Sequence, residues 1–126
     1  MESVKPYRES RPWGEFVEFT KNSTSTVKII TVMPGEALSL QTHKHRDEFW
    51  HVISGDGTIQ IGSSRLAAKP GDEFFAARGT AHRMEGGEAP LQILEISFGE
   101  FDEADISRLE DRYGRAGAAG PADQKA

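Results

Sequence analysis

Apolar residues along this chain come in short runs broken by glycine and proline. Val27, Ile29, Thr31 and Met33 alternate with Lys28, Ile30 and Val32, the period-two pattern of a strand with two distinct faces. Phe49 to Ile53 and Thr58 to Ile61 are rich in aromatic and β-branched residues, and Leu91 to Phe98 is a further apolar run. Pro34-Gly35, Asp56-Gly57, Pro70-Gly71, Arg78-Gly79 and Gly86-Gly87 punctuate these runs. Short strands closely spaced by turns predict an all-β sandwich or barrel. Asp56-Gly57, between two such runs, predicts a tight hairpin, because glycine accepts the positive φ that the turn needs.

The pattern changes near the end. Ile106, Leu109 and Tyr113 share one face at helical spacing, Asp102 can cap the first turn and Gly114 can end the last. Together they predict a short C-terminal helix. From Ala116 to Ala126 nothing large is available to bury, so residues 116–126 are expected to form a flexible tail behind a folded domain over residues 8–115.

Composition narrows the function classes. The 126 residues are 37% hydrophobic and 28% charged, enough for one core and one domain. Net charge is −5 and no Lys/Arg block stands out, so no nucleic-acid or anionic-membrane partner is expected. With no cysteine, disulfides and thiolate ligands are excluded. The N-terminus lacks the apolar core of a signal peptide and no run is long enough to span a bilayer, which predicts a cytoplasmic protein.

The chemistry concentrates in a few positions. Gln41, His43 and His45 alternate, so a strand aims two or three of them into one space. Glu48 follows shortly, and His82 comes after the Arg78-Gly79 turn. Imidazole nitrogen with carboxylate and amide oxygen is a borderline-to-hard donor set, suited to Zn²⁺, Mn²⁺, Fe²⁺, Co²⁺ or Ni²⁺. Local spacing leaves open whether His43 works with Gln41 or with His45. His51 alternates with apolar neighbours and reads as structural.

Wider spacing carries a resemblance. Gly35-x5-Gln41-x-His43-x4-Glu48-x6-Gly55 resembles the first cupin motif, with Gln in place of the usual first His. Gly71-x5-Ala77-x-Gly79-x2-His82-x3-Gly86 resembles the second, with Ala for the usual Pro and Gly for the usual Asn. Within the cupins, Ser39-Leu40-Gln41-x-His43-x-His45-Arg46-x-Glu48-x-Trp50 is similar to the type II phosphomannose isomerases, the C-terminal halves of bifunctional mannose-1-phosphate guanylyltransferase/mannose-6-phosphate isomerases. The similarity extends to Arg11-Pro12-Trp13-Gly14-x-Phe16 and Arg108-Leu109-Glu110-Asp111-x-Tyr113-Gly114-Arg115, and covers residues 8–115. Phe49 stands where that family usually has His, and His51 where it has an aliphatic residue. The sequence holds no nucleotidyltransferase half, so sugar-nucleotide synthesis is not expected of it.

The resemblance implies a small jelly-roll barrel with one divalent metal, zinc before manganese, cobalt, iron or nickel, held by Gln41, His43, Glu48 and His82. It implies interconversion of mannose 6-phosphate and fructose 6-phosphate through a cis-enediol, and a homodimer. Such a reaction needs a base, with His45 first and Lys28 and Glu85 behind it. It also needs cations for the phosphate, for which Arg46, Arg83 and Arg115 are the candidates. Trp13 and Trp50 read as packing. The alternative is a cupin that keeps the metal and binds a sugar or sugar phosphate without turnover. An iron dioxygenase is a third reading, against which Gln41 weighs, because that chemistry favours three-His or facial-triad sites.

Overall fold

The computed structural model describes residues 5–115, which form eleven strands. In chain order these are β1 (Tyr7–Arg11), β2 (Gly14–Glu18), β3 (Ser25–Val32), β4 (Leu40–Thr42), β5 (Arg46–Ser54), β6 (Gly57–Ile61), β7 (Ser64–Ala68), β8 (Glu73–Ala76), β9 (His82–Gly86), β10 (Leu91–Gly99) and β11 (Ser107–Glu110). Every pairing between them is antiparallel. One sheet runs β3-β10-β5-β8 and a second runs β11-β4-β9-β6-β7, while β1 and β2 form a separate ribbon. This is the all-β architecture that the resemblance implies, two antiparallel sheets with the larger core cluster between them.

The alternation along β3 resolves into two faces. Ile30 and Val32 turn inward, whereas Val27 and Ile29 are exposed. Trp50, Val52, Ile59, Met84, Leu91 and Ile93 fill the space between the sheets. Full burial of a side chain of this size contributes about 1.5–3 kcal/mol. Toward one end the interior changes character, and Gln41, His43, Glu48, His82 and Glu95 are buried there instead.

Asp56-Gly57 does not close a hairpin. β5 belongs to the first sheet and β6 to the second, so the chain crosses between sheets at this point. Gly55 has φ +85°, and a Cβ there would collide with the Pro90 carbonyl. The glycines serve a close backbone passage, and the Asp56 carboxylate holds the facing segment by accepting from Ala89 N at 2.9 Å.

The expected C-terminal helix is absent. No helix occurs among the described residues, and β11 occupies the middle of the segment. Burial follows period two, with Ile106 and Arg108 inward and Ser107 and Leu109 exposed. The edge of β4 would otherwise leave its N–H and C=O groups unpaired, and pairing Ser107 with Thr42 and Arg108 with Gln41 satisfies them. Long-range pairing thus overrides the helical spacing of Ile106, Leu109 and Tyr113. The expected tail, 116–126, lies outside the described residues.

Candidate metal centre

Register brings the donors together. Gln41 on β4 pairs with His82 on β9, and Arg108 on β11 pairs with Gln41 from the other side. All three side chains are buried and share one row of the second sheet. Glu48 reaches them from β5 of the first sheet, and His43 follows directly after β4. Gly79, at φ +81°, donates its N–H to the His43 carbonyl at 2.8 Å, tying the turn before His82 to the first histidine.

His43, Glu48 and His82 converge, each offering one ligand atom, with all three atoms within 4.8 Å of one another. Nε2 of His43 lies 3.2 Å from Glu48 Oε2, and Nε2 of His82 lies 3.5 Å from Glu48 Oε1. Nδ1 of His43 bonds the Asp105 carbonyl at 2.6 Å and Nδ1 of His82 bonds the Thr80 carbonyl at 2.9 Å. A carbonyl only accepts, so each Nδ1 carries the proton and each Nε2 presents a lone pair to the carboxylate. Lone pairs facing lone pairs call for a cation. Ligands about 2.0–2.1 Å from a tetrahedral metal stand roughly 3.3 Å apart, close to both separations.

The remaining observations fit the same ion. Gln41 donates its amide N–H to the Ser39 carbonyl at 3.3 Å, while its buried Oε1 has no hydrogen-bond partner among the described residues. A small cavity of about 10 Å³ is lined in part by Gln41, Glu48, Trp50, His82 and Glu95, room for roughly one water-sized species. The donors present therefore fit a divalent cation held by His43, Glu48 and His82, with Gln41 Oε1 available as a fourth ligand.

Electrostatics match the geometry. Burial lowers His43 to about 4, and the nearby His82 and Arg46 add to this while Glu48 opposes it. Burial works to raise the Glu48 carboxyl, but His82, His43 and Arg46 outweigh it and hold the group well below its usual range. Arg46 donates through Nε to Glu48 Oε2 at 3.0 Å, and Trp50 donates through its indole N–H to Glu48 Oε1 at 3.0 Å. Trp50 also stands edge-on to the His82 ring, so it orients two of the donors rather than only filling space. Glu95 is pushed up to about 8, first by burial and then by the neighbouring Glu48.

The other expected site residues are spread more widely. His45 is exposed and lines an open groove with Lys44, Glu100, Asp102 and Asp105, outside the convergent cluster. Glu85 is out of phase with the inward His82 and Met84, and ion-pairs with Arg65 at 2.8 Å. Lys28 lies beside Glu95 in the β3–β10 register and ion-pairs with Glu103 at 3.0 Å. Arg46 is buried at the cluster itself. Arg83 reaches from beside the cavity to the Leu38 carbonyl and Glu110. Arg115 pairs with Asp111 in a different groove, with Thr31, Met33 and Tyr113. His51 bonds Glu73 at 2.8 Å against the Phe19 ring, and Trp13 is exposed. Glu95 and Arg108 escape the sequence reading; for Glu95 the available signal is a charged residue at an inward phase of the apolar run Leu91 to Phe98.

The sequence profile described as "Mannose-6-phosphate isomerase C-terminal" matches residues 2–111. The chain belongs to this family. It is 37% identical over 107 residues to mannose-1-phosphate guanylyltransferase ManC of Salmonella typhimurium, a match covering 83% of this chain and 22% of that protein. The chain thus spans less than a quarter of the length of the curated relatives it matches. A cupin protein of Bacteroides fragilis superposes with a TM-score of 0.56 at 22% identity, over 60% of this chain and 65% of that one. A putative sugar phosphate isomerase of Acidithiobacillus ferrooxidans superposes with a TM-score of 0.55 at 25% identity, over 62% of this chain and 51% of that one. The family and the fold agree with the resemblance carried by the two spaced motifs.

Proposed function

We propose that this domain is a metal-dependent sugar-phosphate isomerase that interconverts mannose 6-phosphate and fructose 6-phosphate. The observation that carries the reading is the convergence of His43, Glu48 and His82 across two sheets, with buried Gln41 paired in register to His82 and its side-chain Oε1 unpartnered among the described residues. A bound divalent cation, zinc first by its donor set, supplies Lewis-acid stabilisation for the oxygen that gains charge as a proton moves between C1 and C2.

The protein supplies the rest. Glu95 and Lys28 are neighbours in register on β10 and β3, and Glu95 lines the cavity. They are the groups within the barrel suited to carry the proton, ahead of His45 and Glu85. Arg83 beside the cavity and Arg108 in the row of Gln41 and His82 are cations suited to the phosphate, together with Arg46. Family membership favours a sugar phosphate as the ligand. No described helix is long and apolar enough to cross a membrane, and we take the site of action to be the cytoplasm and the working form to be a homodimer.

A second reading is a cupin that binds a sugar phosphate without turnover. The exposed position of His45 and the outward Glu85 favour it, since two of the three bases expected from the sequence lie away from the donors. A coupled assay for fructose 6-phosphate, on protein stripped of metal and reloaded with Zn²⁺, Mn²⁺ or Co²⁺, separates the two. Metal-dependent turnover is expected. Tight metal binding without turnover for any ion would move the function to the second reading.

A further inference from the structure

We propose that Arg46 competes with the metal for His43, so that its guanidinium must leave the imidazole before the ion can take it. This inference rests on reading His43, Glu48 and His82 as the metal centre. Arg46 is buried, and all three arms of its guanidinium are engaged. Nε donates to Glu48 Oε2 at 3.0 Å, Nη2 lies 3.3 Å from His43 Nε2, and Nη1 donates to the Asp102 carbonyl at 3.2 Å. The Phe101 ring lies against it, 4.5 Å from Cζ.

The first two contacts differ in what they cost a metal. A carboxylate oxygen has two lone pairs, so Glu48 Oε2 can keep the Arg46 N–H and still bind an ion. A neutral imidazole has a single lone pair. With the proton of His43 on Nδ1, toward the Asp105 carbonyl, that lone pair is at Nε2. Nη2–H and a metal cannot share it. Arginine, moreover, does not shed its charge, so a divalent ion arriving at His43 also repels the guanidinium that sits there.

The other side of Arg46 gives it somewhere to stay. The Asp102 carbonyl and the Phe101 face hold Nη1 and the guanidinium plane independently of His43. Rotation about these contacts releases Nη2 while the charge remains beside the centre, where it can meet an anionic oxygen. Arg46 thus stabilises the ligand cluster before metal arrives and weakens the metal's hold on His43 afterwards.

The test is a Co²⁺ titration, read by the visible absorption of the bound ion, on wild type, Arg46→Met and Arg46→Lys, with the unfolding temperature of each metal-free protein alongside. Arg46→Met should bind Co²⁺ roughly tenfold more tightly than wild type, about the worth of one charge-assisted hydrogen bond. Its metal-free form should melt lower, because Glu48 loses its counter-charge. Arg46→Lys keeps the charge but not the fork that spans Glu48 and His43, so it too should bind more tightly than wild type. If Arg46→Met does not fold, Arg46→Lys decides. Unchanged or weaker Co²⁺ binding in the folded variants, with wild type binding normally, overturns the competition alone. Absence of Co²⁺ binding by wild type overturns the metal centre and the competition with it.

Discussion

Nδ1 of His43 lies 2.6 Å from the carbonyl oxygen of Asp105, a residue 62 positions further along the chain. The same Asp105 accepts the backbone N–H groups of Lys44 and His45 on its carboxylate, at 2.8 and 2.9 Å. One residue therefore fixes both the tautomer of His43 and the loop that carries it. Its carboxyl lies below the usual range because these two N–H bonds, with His43 and Arg46, outweigh its burial. Asp105→Ala keeps the backbone carbonyl that His43 Nδ1 donates to and removes the two carboxylate bonds that hold the loop, so it should weaken metal binding by less than the about 10–100-fold that follows loss of a ligand's direct partner. Asp105→Asn should lose less, because its amide oxygen still accepts one N–H. Metal titration checks both, with circular dichroism to verify the fold.

The pairing of Trp50 with Glu48 supplies a second prediction. Trp50→Phe keeps an aromatic ring against His82 but removes the indole N–H from a buried carboxylate. The loss should destabilise the metal-free protein by about 1.5–3 kcal/mol in urea denaturation, the range for a hydrogen bond to a charged group. A change within about 0.5 kcal/mol, typical of a surface substitution, would contradict the role given to Trp50.

Glu48, His43 and Glu95, buried together, shape the pH dependence of the metal-free protein, and the lowered carboxyl of buried Asp47 adds to the rise in acid. Glu48 is depressed in the fold, so the unfolded chain binds more protons in acid and stability rises with pH up to its ordinary range near 4.5. His43, lowered to about 4 from 6.5, also makes stability rise, between those two values. Glu95, raised from 4.5 to about 8, has the opposite sign, because the folded state holds the extra proton and loses stability as pH climbs through that window. His43 and Glu95 offset one another between pH 4.5 and 6.5, and Glu95 acts alone from 6.5 to 8. Urea midpoints should therefore rise to about pH 4.5, flatten, then fall above 6.5. Glu95→Gln should abolish the fall. A wild-type midpoint still rising between pH 6.5 and 8 would contradict this arrangement.

Gly55 is predicted to be intolerant of a side chain. Its φ of +85° and the Pro90 carbonyl in the path of a Cβ act together. Gly55→Ala should cost at least about 2 kcal/mol, since a strained backbone position alone costs of order 1–3 kcal/mol. Thermal unfolding measures it.

How far these features are legible beforehand depends on what each one rests upon. β3 and β10 are readable because their period and their flanking turns are local. His43, Glu48 and His82 are readable because spacing against fixed glycines encodes their convergence, and their side chains do meet. β11 is not readable, because only the open edge of β4 makes a strand of residues whose own spacing is helical. Asp56-Gly57 misleads for a related reason, since a turn between strands carries no mark of whether they share a sheet. Arg108 and the Asp105 carbonyl enter the centre through cross-strand register and loop closure, which no local pattern records.

Metal content and turnover, measured together in Gln41→Ala, His43→Ala, Glu48→Gln and His82→Ala, test the central claim most directly. Each variant should fold, lose bound metal and lose mannose 6-phosphate isomerisation in parallel, with His43→Ala and His82→Ala the most severe. Full metal occupancy in a folded His43→Ala protein would contradict the site.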